Sequence, residues 1–482
     1  MIFDLILEHA RRTPLAAALD ASGTRWTYAA FASAMVGLTE QLARQDLPAQ
    51  GVAVLRLGRR VDAWLAGLAL RRLGLDTIGL GSSAPVASLQ LGGVCCIVVD
   101  QDCDAAELAK LAPPQACRVL RIAGSEPDQW AQPMPPGNAP PQRPPGAHIL
   151  VTSGTTGQGK KVRQHPVLGA ARLAETATRY GMDRSSSVYV ADFPLSTGGG
   201  YRWPLMAWSV GGHVVIDQRA DIGAAYRAGA LTHAFATPLM LRGLLSLPPQ
   251  ALRRSDTLRL LVAGGAVSRA QADAARARLT PHLLSALGAT EASTFALTPM
   301  PDGEGPPWHH ILPGCELEVV DALDRPLPAG EVGALRVRPM DGINAYLDSP
   351  EATVAHFRDG WFYTGDMAIL DGTGRLALRG RANDVINCQG NKIAPEPLEL
   401  ALQERLGVEA VCIFATPGTD QQDQLHVAIQ SRRPIKKREL FALATTELVL
   451  FGSVRFHIVD TLARNDMGKF QRAQIRQMLR DR

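Results

Sequence analysis

The most informative stretch of this chain reads Thr152-Ser153-Gly154-Thr155-Thr156-Gly157-Gln158-Gly159-Lys160-Lys161. It directly follows the apolar run His148-Ile149-Leu150-Val151, so the pattern predicts a strand that ends in a glycine-rich loop. Glycines let backbone N–H groups turn inward, hydroxyls add donors, and a lysine adds a positive charge. The stretch therefore predicts a loop that binds phosphate groups; the alternative is a flexible surface turn.

Two kinds of phosphate loop come close to this pattern. Residues 154–160 read G-x-x-x-x-G-K, the core of the Walker loop of kinases and ATPases. That motif needs Ser or Thr next, to hold Mg²⁺, and Lys161 stands there instead. The whole stretch also resembles the loop of the adenylate-forming superfamily (acyl-CoA synthetases, nonribosomal-peptide adenylation domains and luciferases), written T-S-G-[ST]-T-G-x-P-K-G. Gly159 and Lys161 depart from that pattern, so residues far from the loop must distinguish the two.

Composition excludes several classes of protein. The chain has 482 residues, of which 46% are apolar and 20% charged, which predicts a globular protein with more than one domain. Its 50 basic and 46 acidic residues give no overall charge that would indicate nucleic acid or an anionic membrane as a partner. The seven scattered cysteines include no Cys-x-x-Cys pair, which favours a reduced, cytoplasmic protein without structural zinc or disulfides.

The N-terminal residues are expected to belong to the fold. Residues 1–8 are apolar at near-helical spacing with two acids and no basic leader, which predicts a docking helix rather than a signal peptide. No run approaches the roughly 20 apolar residues that span a bilayer. The chain stops thirteen residues after Lys469, without an appended carrier-like domain, so any acyl acceptor is expected to be a separate molecule.

Alternating helical and strand patterns predict an α/β fold with a mostly parallel sheet. Helices are predicted at 31–42, 61–73, 167–180 and 269–279, and strands at 52–57, 77–80, 94–99, 187–192, 213–216, 258–263 and 282–287. Residues 127–145 contain eight prolines and are expected to be irregular. Short alternating strands such as 316–320 and 334–337 predict a β-rich subdomain over 314–378, and the last hundred or so residues resemble a separate C-terminal domain.

Four further clusters match the adenylate-forming superfamily in its order and with comparable spacing, so the resemblance covers essentially the full chain. They are Leu258-Arg259-Leu260-Leu261-Val262-Ala263-Gly264-Gly265-Ala266, Ala286-Leu287-Gly288-Ala289-Thr290-Glu291, Gly360-Trp361-Phe362-Tyr363-Thr364-Gly365-Asp366 with Arg379-Gly380-Arg381-Ala382-Asn383-Asp384, and Arg464-Asn465-Asp466-Met467-Gly468-Lys469-Phe470-Gln471-Arg472. Each cluster alone has an ordinary interpretation, such as a turn residue or a surface charge. A Walker-type phosphotransferase predicts none of the four, so it becomes a distant alternative.

The resemblance implies a site for ATP or AMP. The implied nucleotide contacts are Thr152, Ser153, Gly154, Thr156, Gly157, Lys160, Gly264, Gly265, Ala286, Leu287, Gly288, Ala289, Thr290, Asp366 and Arg381, and the implied catalytic residues are Thr155, Glu291 and Lys469. Glu291 is expected to hold Mg²⁺, because a carboxylate beside polyphosphate otherwise repels it. Asp366 is expected to accept hydrogen bonds from the ribose hydroxyls. Leu287 replaces the usual aromatic near adenine, and Lys161 is expected to be a solvated neighbour of Lys160.

The resemblance to the superfamily also implies two domains with different roles. Residues 1–380 would form a large N-terminal domain of mixed parallel sheets with the β-rich subdomain, and residues 381–482 a small, mobile α+β lid that carries Lys469. In the family the lid rotates between half-reactions about a hinge residue that is commonly Asp and is Asn383 here; Asn tolerates the same unusual dihedral angles. After rotation, Gly390 would line the tunnel for the thiol.

The resemblance assigns acid binding to residues 193–200, which read F-P-L-S-T-G-G-G and align with the P-L-x-H-x-x-G of acyl- and aryl-CoA synthetases. Amino-acid-activating domains carry an Asp near the position of Pro194 to bind the substrate ammonium, and its absence argues against an α-amino acid. Thr197 replaces the gating His of acyl-CoA synthetases, and the glycines are expected to leave space. Thr197, Gly198 and Tyr201 are therefore predicted to line a pocket for an aliphatic or aryl acid; for Tyr201 and Trp203, core packing is an equal alternative.

Together these features predict an AMP-forming acid–thiol ligase. It would use ATP and Mg²⁺ to convert a carboxylic acid to acyl-AMP and then transfer the acyl group to coenzyme A or to the phosphopantetheine of a separate carrier protein. Arg432, Arg433, Lys436, Lys437 and Arg438 form a basic patch that suits either acceptor, although a solvated loop is the more ordinary interpretation. The alternatives are a stand-alone adenylation enzyme that loads an amino acid on a peptidyl carrier protein, a Walker-type phosphotransferase, and an inactive nucleotide-binding relative.

Overall fold

The structure is a computed structural model. It describes residues 1–21, 23–81, 84–130, 143–152, 159–191, 193–216, 223–228, 230–301, 307–382, 386–388, 391–393, 395–417, 423–448, 454–465 and 468–480. Among these residues, no helix has the length and apolar character needed to cross a membrane.

The first sheet has six strands and holds the glycine-rich stretch at one edge. Its strands, in chain order, are β3 (Val52–Arg56), β4 (Asp76–Gly79), β5 (Val94–Asp100), β6 (Arg118–Ile122), β7 (His148–Val151) and β8 (Lys161–Gln164), and their order across the sheet is β6-β5-β3-β4-β7-β8. All neighbours run parallel except the antiparallel hairpin of β7 and β8. The candidate phosphate loop is the connection of that hairpin.

Helices cover this sheet because strands buried on both faces need apolar partners. Helix α3 (Arg60–Arg72) packs directly on β3 and β4, and α4 (Ala105–Leu111) connects β5 with β6. Helix α2 (Tyr28–Ala43) packs on α3, and α1 (Ile2–Arg12) packs on α2. The predicted docking helix at the N-terminus is observed as α1, which buries Ile2, Phe3 and Ile6. The proline-rich stretch begins with a short 3-10 turn at Pro127–Trp130, and residues 131–142 lie outside the described part of the chain.

A second, larger sheet combines a parallel half with an antiparallel half. The parallel half contains β1 (Ala17–Ala21), β9 (Ser187–Val190), β10 (His213–Ile216), β11 (His233–Ala236), β12 (Arg259–Val262) and β13 (His282–Ala289), with β2 (Thr24–Thr27) antiparallel at its edge. Its helices are α5 (Leu168–Arg179), α6 (Gly198–Ser209), α7 (Ala224–Ala228), α8 (Pro238–Leu245) and α9 (Arg269–Arg278).

The predicted β-rich stretch extends this second sheet rather than forming a sheet of its own. Its elements are β14 (Ser293–Pro299), β15 (His309–Ile311), β16 (Leu317–Val320), β17 (Val332–Val337), α10 (Pro350–His356), β18 (Phe357–Arg358), β19 (Trp361–Leu370) and β20 (Arg375–Arg381). The order β16-β17-β19-β20-β15-β14-β13 connects these antiparallel strands directly to the parallel half. As a result, the turn after β13 and the end of β20 belong to one continuous sheet.

The last hundred residues build a core of their own. They contain β21 (Ile386–Cys388), β22 (Asn391–Ile393), α11 (Pro395–Leu406), β23 (Ala410–Pro417), β24 (Asp423–Gln430), α12 (Lys437–Thr445), β25 (Val454–Val459) and α13 (Arg472–Arg480). Strand β23 alternates between two apolar clusters, since Val411 and Ile413 pack into one and Cys412 and Phe414 into the other. Both clusters draw their buried residues only from this part of the chain.

Candidate active site

The hairpin of β7 and β8 holds the two ends of the glycine-rich loop together. The Thr152 N–H donates to the Lys160 carbonyl oxygen at 2.7 Å, and the Val151 N–H donates to the Ser196 carbonyl oxygen at 2.7 Å. Gly159 is required by close packing, because a Cβ there would lie 2.3 Å from Val151 Cγ1 and 2.9 Å from the Thr152 carbonyl oxygen. This contact explains why glycine occupies the position that is proline in the family pattern.

Residues 153–158 lie outside the described part of the chain. The predicted roles of Ser153, Gly154, Thr155, Thr156 and Gly157 therefore stay predictions, as do those of the hinge residue Asn383 and the tunnel residue Gly390. Thr152 is described and is buried at the mouth of the loop.

The two lysines that follow the loop have different surroundings. Lys160 Nζ lies 2.8 Å from His356 Nε2 and 5.0 Å from the centre of the Tyr346 ring. Burial lowers the pKa of Lys160, the Glu291 carboxylate opposes this, and the Arg381 charge lowers the pKa further. The expectation that Lys161 is solvated is wrong: only 8% of it is exposed, because it starts strand β8 and its carbonyl oxygen accepts a hydrogen bond from the Leu347 N–H.

Glu291 is a buried carboxylate with one defined partner. The Tyr346 hydroxyl donates to Glu291 Oε1 at 2.7 Å, and only 7% of Glu291 is exposed. Burial raises the pKa of Tyr346, and the Glu291 charge raises it further, so the phenol stays a donor. The described residues contain no group of three or more His, Cys, Asp and Glu that would hold a metal ion unaided. A single carboxylate nevertheless fits Mg²⁺, which commonly takes one or two carboxylates together with substrate phosphates and water.

The turn that leads into Glu291 is fixed by Arg202, a residue that the sequence analysis did not select. Arg202 Nη2 donates to the Thr290 carbonyl oxygen at 2.7 Å and lies 3.3 Å from Asp341 Oδ2, and both side chains are buried. The Ser293 hydroxyl also donates to Asp341 Oδ2, at 2.9 Å. Arg202 is the sole charged residue of helix α6, and a buried charge needs a partner, so this is the signal that would have indicated it.

The other residues predicted to lie beside adenine are found at the ends of two neighbouring strands. Strands β12 and β13 are parallel, with Val262 opposite Ser285. Gly264 and Leu287 each lie two residues further along the chain, so they are at the same end of the two strands. Gly264 has φ +92°, and a Cβ there would have only Thr237 Cγ2 nearby, at 4.0 Å. The loop of Gly264 and Gly265 is exposed, Ala286 is buried and Leu287 is half-buried. An open, flat face of this kind is compatible with a planar base.

On the other side of the site, Asp366 and Arg381 face each other across β19 and β20. Arg381 Nε lies 3.1 Å from Asp366 Oδ1, and the Asp366 N–H donates to Thr364 Oγ1 at 3.0 Å. Each is partly exposed, with 19% of the Asp366 side chain and 31% of the Arg381 side chain accessible. Both groups are therefore held together and remain reachable for a ligand.

Lys469 reaches this region from the C-terminal part of the chain. Burial and the Arg381 charge lower its pKa, while the carboxylates of Asp366, Glu396 and Glu291 act in the opposite direction. Its loop is closed by the Asn465 side chain, which accepts from the Lys469 N–H at 3.0 Å. Gly468 has φ +78°, and a Cβ there would lie 2.9 Å from Leu239 Cβ in α8, so the loop packs directly on the N-terminal part.

The predicted acid pocket is only partly as expected. Thr197 caps helix α6: its Oγ1 accepts from the Gly200 N–H at 3.2 Å and donates to the Pro194 carbonyl oxygen at 2.7 Å. A Cβ at Gly198 would meet only Arg202 Nη1, at 3.9 Å, so space exists there. The expectation that all three glycines leave space is wrong, because a Cβ at Gly199 would lie 3.2 Å from two phenylalanine rings and one at Gly200 would lie 2.3 Å from the Pro194 carbonyl oxygen.

Tyr201 and Trp203 both show core packing. The Tyr201 ring stacks on His148, with centroids 4.0 Å apart, and on Trp64, with centroids 5.5 Å apart. Trp203 donates from Nε1 to the Tyr189 carbonyl oxygen at 3.2 Å, and both side chains are buried in the main apolar core. The pocket roles of Thr197 and Gly198 remain predictions.

Four segments far apart in sequence thus contribute Lys160, Glu291, the Asp366–Arg381 pair and Lys469 to one region, where the charges of Glu291 and Arg381 act on both lysines. Lysines whose pKa is lowered, close to a buried carboxylate, are typical of a functional site. A family model described as "AMP-binding enzyme" matches residues 6–347. The chain belongs to this family, and its predicted membership of the adenylate-forming superfamily is confirmed.

Known relatives are similar over much of the chain. It is 28% identical to the fatty acid–acyl-carrier-protein ligase ScoC of Streptomyces coeruleorubidus over 68% of this chain and 66% of that protein. It is 26% identical to 4-hydroxybutyrate–CoA ligase 2 of Metallosphaera sedula over 68% of this chain and 63% of that protein. The chain therefore spans somewhat less than two thirds of the length of both relatives.

The fold also resembles solved structures along its whole length. The O-succinylbenzoate coenzyme A synthetase MenE of Bacillus subtilis, solved with ATP and a magnesium ion, superposes with a TM-score of 0.82 at 22% identity and covers 98% of this chain and 99% of that one. This likeness establishes a common fold, which confirms the predicted α/β class.

Proposed function

We propose that this protein activates a carboxylic acid with ATP, forming acyl-AMP and pyrophosphate, and then transfers the acyl group to a thiol. The observation that carries the proposal is the position of Lys469, whose charge interacts with Asp366, Glu291 and Arg381 from two other parts of the chain. A lysine held there suits a reaction in which negative charge develops on phosphate oxygens. The named activities of the two ligase relatives support the same chemistry.

In the first half-reaction, a carboxylate oxygen of the acid attacks the α-phosphorus of ATP, and the bond to the pyrophosphate oxygen breaks. Lys469 orients the carboxylate and offsets the charge that develops on the α-phosphate, and Lys160 binds the β- and γ-phosphates. Asp366 accepts hydrogen bonds from the ribose hydroxyls. Glu291 would hold Mg²⁺, which would supply further positive charge to the leaving group. The protein thus contributes positioning and neutralisation rather than covalent catalysis.

The second half-reaction needs Lys469 to leave the site, and we infer that residues 381–482 move as a lid relative to residues 1–380. The separate apolar clusters of the C-terminal part support this division, because every described residue in them lies within 386–479. Asn383 is the proposed hinge and Gly390 the proposed wall of the thiol tunnel. The thiol sulfur then attacks the acyl carbon, and AMP leaves with the bonding electrons.

The proposed acid is aliphatic or aryl and has no α-ammonium group. Pro194 contributes only its backbone near the acid side, where its carbonyl oxygen accepts from Thr197 Oγ1. A substrate ammonium at this position would meet a proline and not a carboxylate, and burying an unpaired ammonium is costly. The relatives that activate a fatty acid and 4-hydroxybutyrate are consistent with this choice.

The proposed acceptor is coenzyme A or the phosphopantetheine of a carrier protein. The predicted basic patch is exposed at Arg432, Lys436, Lys437 and Arg438, whereas Arg433 is paired with Glu439 at 2.7 Å. Exposed positive charge suits the phosphates of coenzyme A and an acidic carrier helix equally, so an experiment must distinguish the two acceptors.

The proposal is tested by pyrophosphate release with ATP, Mg²⁺ and a panel of fatty, hydroxy, aryl and amino acids, each with no acceptor, coenzyme A or a phosphopantetheinylated carrier protein. We expect release with one class of acid that lacks an amino group, stimulated by one of the two thiols. Release with an amino acid would instead favour the peptidyl-carrier alternative. ADP and phosphate would indicate a phosphotransferase, and nucleotide binding without turnover would indicate an inactive relative.

A substitution at Glu291 tests the magnesium assignment. Glu291→Gln keeps an oxygen acceptor for the Tyr346 hydroxyl but removes the negative charge, so the Mg²⁺ concentration for half-maximal pyrophosphate release should rise about tenfold or more. Glu316→Gln, which changes an exposed carboxylate, is the matched control. An unchanged Mg²⁺ dependence in Glu291→Gln would remove this residue from the metal site.

A further inference from the structure

Lys160, the proposed β- and γ-phosphate ligand, has a defined partner 196 residues away. His356 ends helix α10, and its Nδ1 lies 3.0 Å from the Tyr363 carbonyl oxygen. A carbonyl oxygen can only accept, so Nδ1 carries a proton, and a lysine ammonium can only donate, so Nε2 must present a lone pair. Lys160 Nζ, at 2.8 Å from Nε2, is therefore the donor to His356.

Aromatic side chains hold the histidine ring in this orientation. The His356 ring lies over Phe362 at an interplanar angle of 27°, with centroids 6.2 Å apart, and meets Tyr346 edge-on with centroids 5.9 Å apart. Tyr346 in turn places its ring 5.0 Å from Lys160 Nζ and its hydroxyl on Glu291. The ammonium is thus bounded by an acceptor on one side and an aromatic face on another, and an ammonium has three protons to donate.

We propose that His356 is the positioning residue for Lys160: its Nε2 fixes the ammonium so that a remaining N–H is directed to the β- and γ-phosphates of ATP. This inference rests on the proposed function and adds a residue outside the glycine-rich motif. A free lysine side chain has many rotamers, and a fixed acceptor removes that freedom before the nucleotide binds. The effect is confined to ligands that carry β- and γ-phosphates, so ATP depends on His356 and AMP does not.

Two substitutions separate the two hydrogen bonds of the ring. In His356→Asn the amide nitrogen still reaches the Tyr363 carbonyl oxygen, but nothing reaches Lys160. In His356→Gln the amide oxygen reaches Lys160 and the bond to Tyr363 is lost. We expect His356→Asn to weaken ATP binding about tenfold, the effect of losing one charge-assisted hydrogen bond, with AMP binding unchanged, and His356→Gln to keep both affinities within about threefold.

The experiment is calorimetric titration of the full-length protein and each variant with ATP and, separately, AMP, in Mg²⁺ and without acid. Lys160→Ala and the double variant Lys160→Ala/His356→Asn complete a cycle, in which His356→Asn should have no further effect once Lys160 is absent. His310→Leu, at an exposed histidine of β15, is the control for a general effect of histidine removal.

The outcomes distinguish this inference from the proposed function. A wild-type protein that binds neither nucleotide would overturn the proposed function and this inference with it. A wild type that binds both, with His356→Asn weakening ATP and AMP equally or not at all, would overturn the positioning role alone. If His356→Asn does not fold, His356→Gln still tests the positioning role of His356. A tenfold loss of ATP affinity in His356→Gln, which keeps an acceptor for Lys160, would contradict that role.

Discussion

Replacing Lys469 with alanine should reduce acid-dependent pyrophosphate release by about 10²- to 10³-fold, the usual effect of removing one preorganised charge from a transition state. Transfer of the acyl group from supplied acyl-adenylate to the thiol acceptor should stay within about twofold of the wild-type rate. The reason is that Lys469 is proposed to act with Asp366, Glu291 and Arg381, whose charges influence its pKa, in the first half-reaction, and to leave the site with the lid before the second. The two rates are measured separately, by pyrophosphate release and by thioester formation.

A matched control comes from the same part of the chain. Arg455 is exposed on strand β25, away from the basic patch, and Arg455→Ala should leave pyrophosphate release unchanged. If Lys469→Ala instead reduced both half-reactions equally, the lysine would be a structural residue of its loop, and the proposal that residues 381–482 exchange position between half-reactions would lose its main support.

Local patterns predicted the elements of the fold well because they depend on neighbouring residues. The strand 213–216 was predicted with the bounds of β10, His213–Ile216, and the helix predicted at 269–279 is α9, Arg269–Arg278. The β-rich stretch was also found, but its continuity with the parallel half was not, because strand order depends on pairing between distant segments. Periodicity predicts which residues form a strand, but it does not predict which other strand pairs with it.

The same distinction applies to the site. The motifs predicted Lys160, Glu291, Asp366, Arg381 and Lys469 as site residues, and in the structure the charges of Glu291 and Arg381 act on both lysines. They did not select Arg202, Tyr346 or His356, because the partners of these residues are many positions away and no spacing rule connects them. Lys161 was wrongly expected in solvent because two adjacent lysines suggest a surface, whereas an edge strand buries one of them.

Replacing Arg202 with methionine should destabilise the protein by about 3–5 kcal/mol, because it leaves the Asp341 carboxylate buried without its cation. Only 1% of the Asp341 side chain and 10% of the Arg202 side chain are exposed, so solvent cannot replace the lost partner. Urea denaturation of each variant measures the loss. Arg338→Met, which breaks a surface pair with Glu316, should cost less than about 1 kcal/mol and is the control.

The double variant Arg202→Met/Asp341→Asn separates stability from nucleotide binding. Asparagine keeps an oxygen acceptor for the Ser293 hydroxyl and carries no charge, so much of the lost stability should return. ATP affinity should not return, because Arg202 also donates to the carbonyl oxygen of Thr290, and without that bond the turn before Glu291 is no longer held. Recovery of ATP affinity together with stability would mean that the turn is held by its strands alone and that Arg202 serves only to neutralise Asp341.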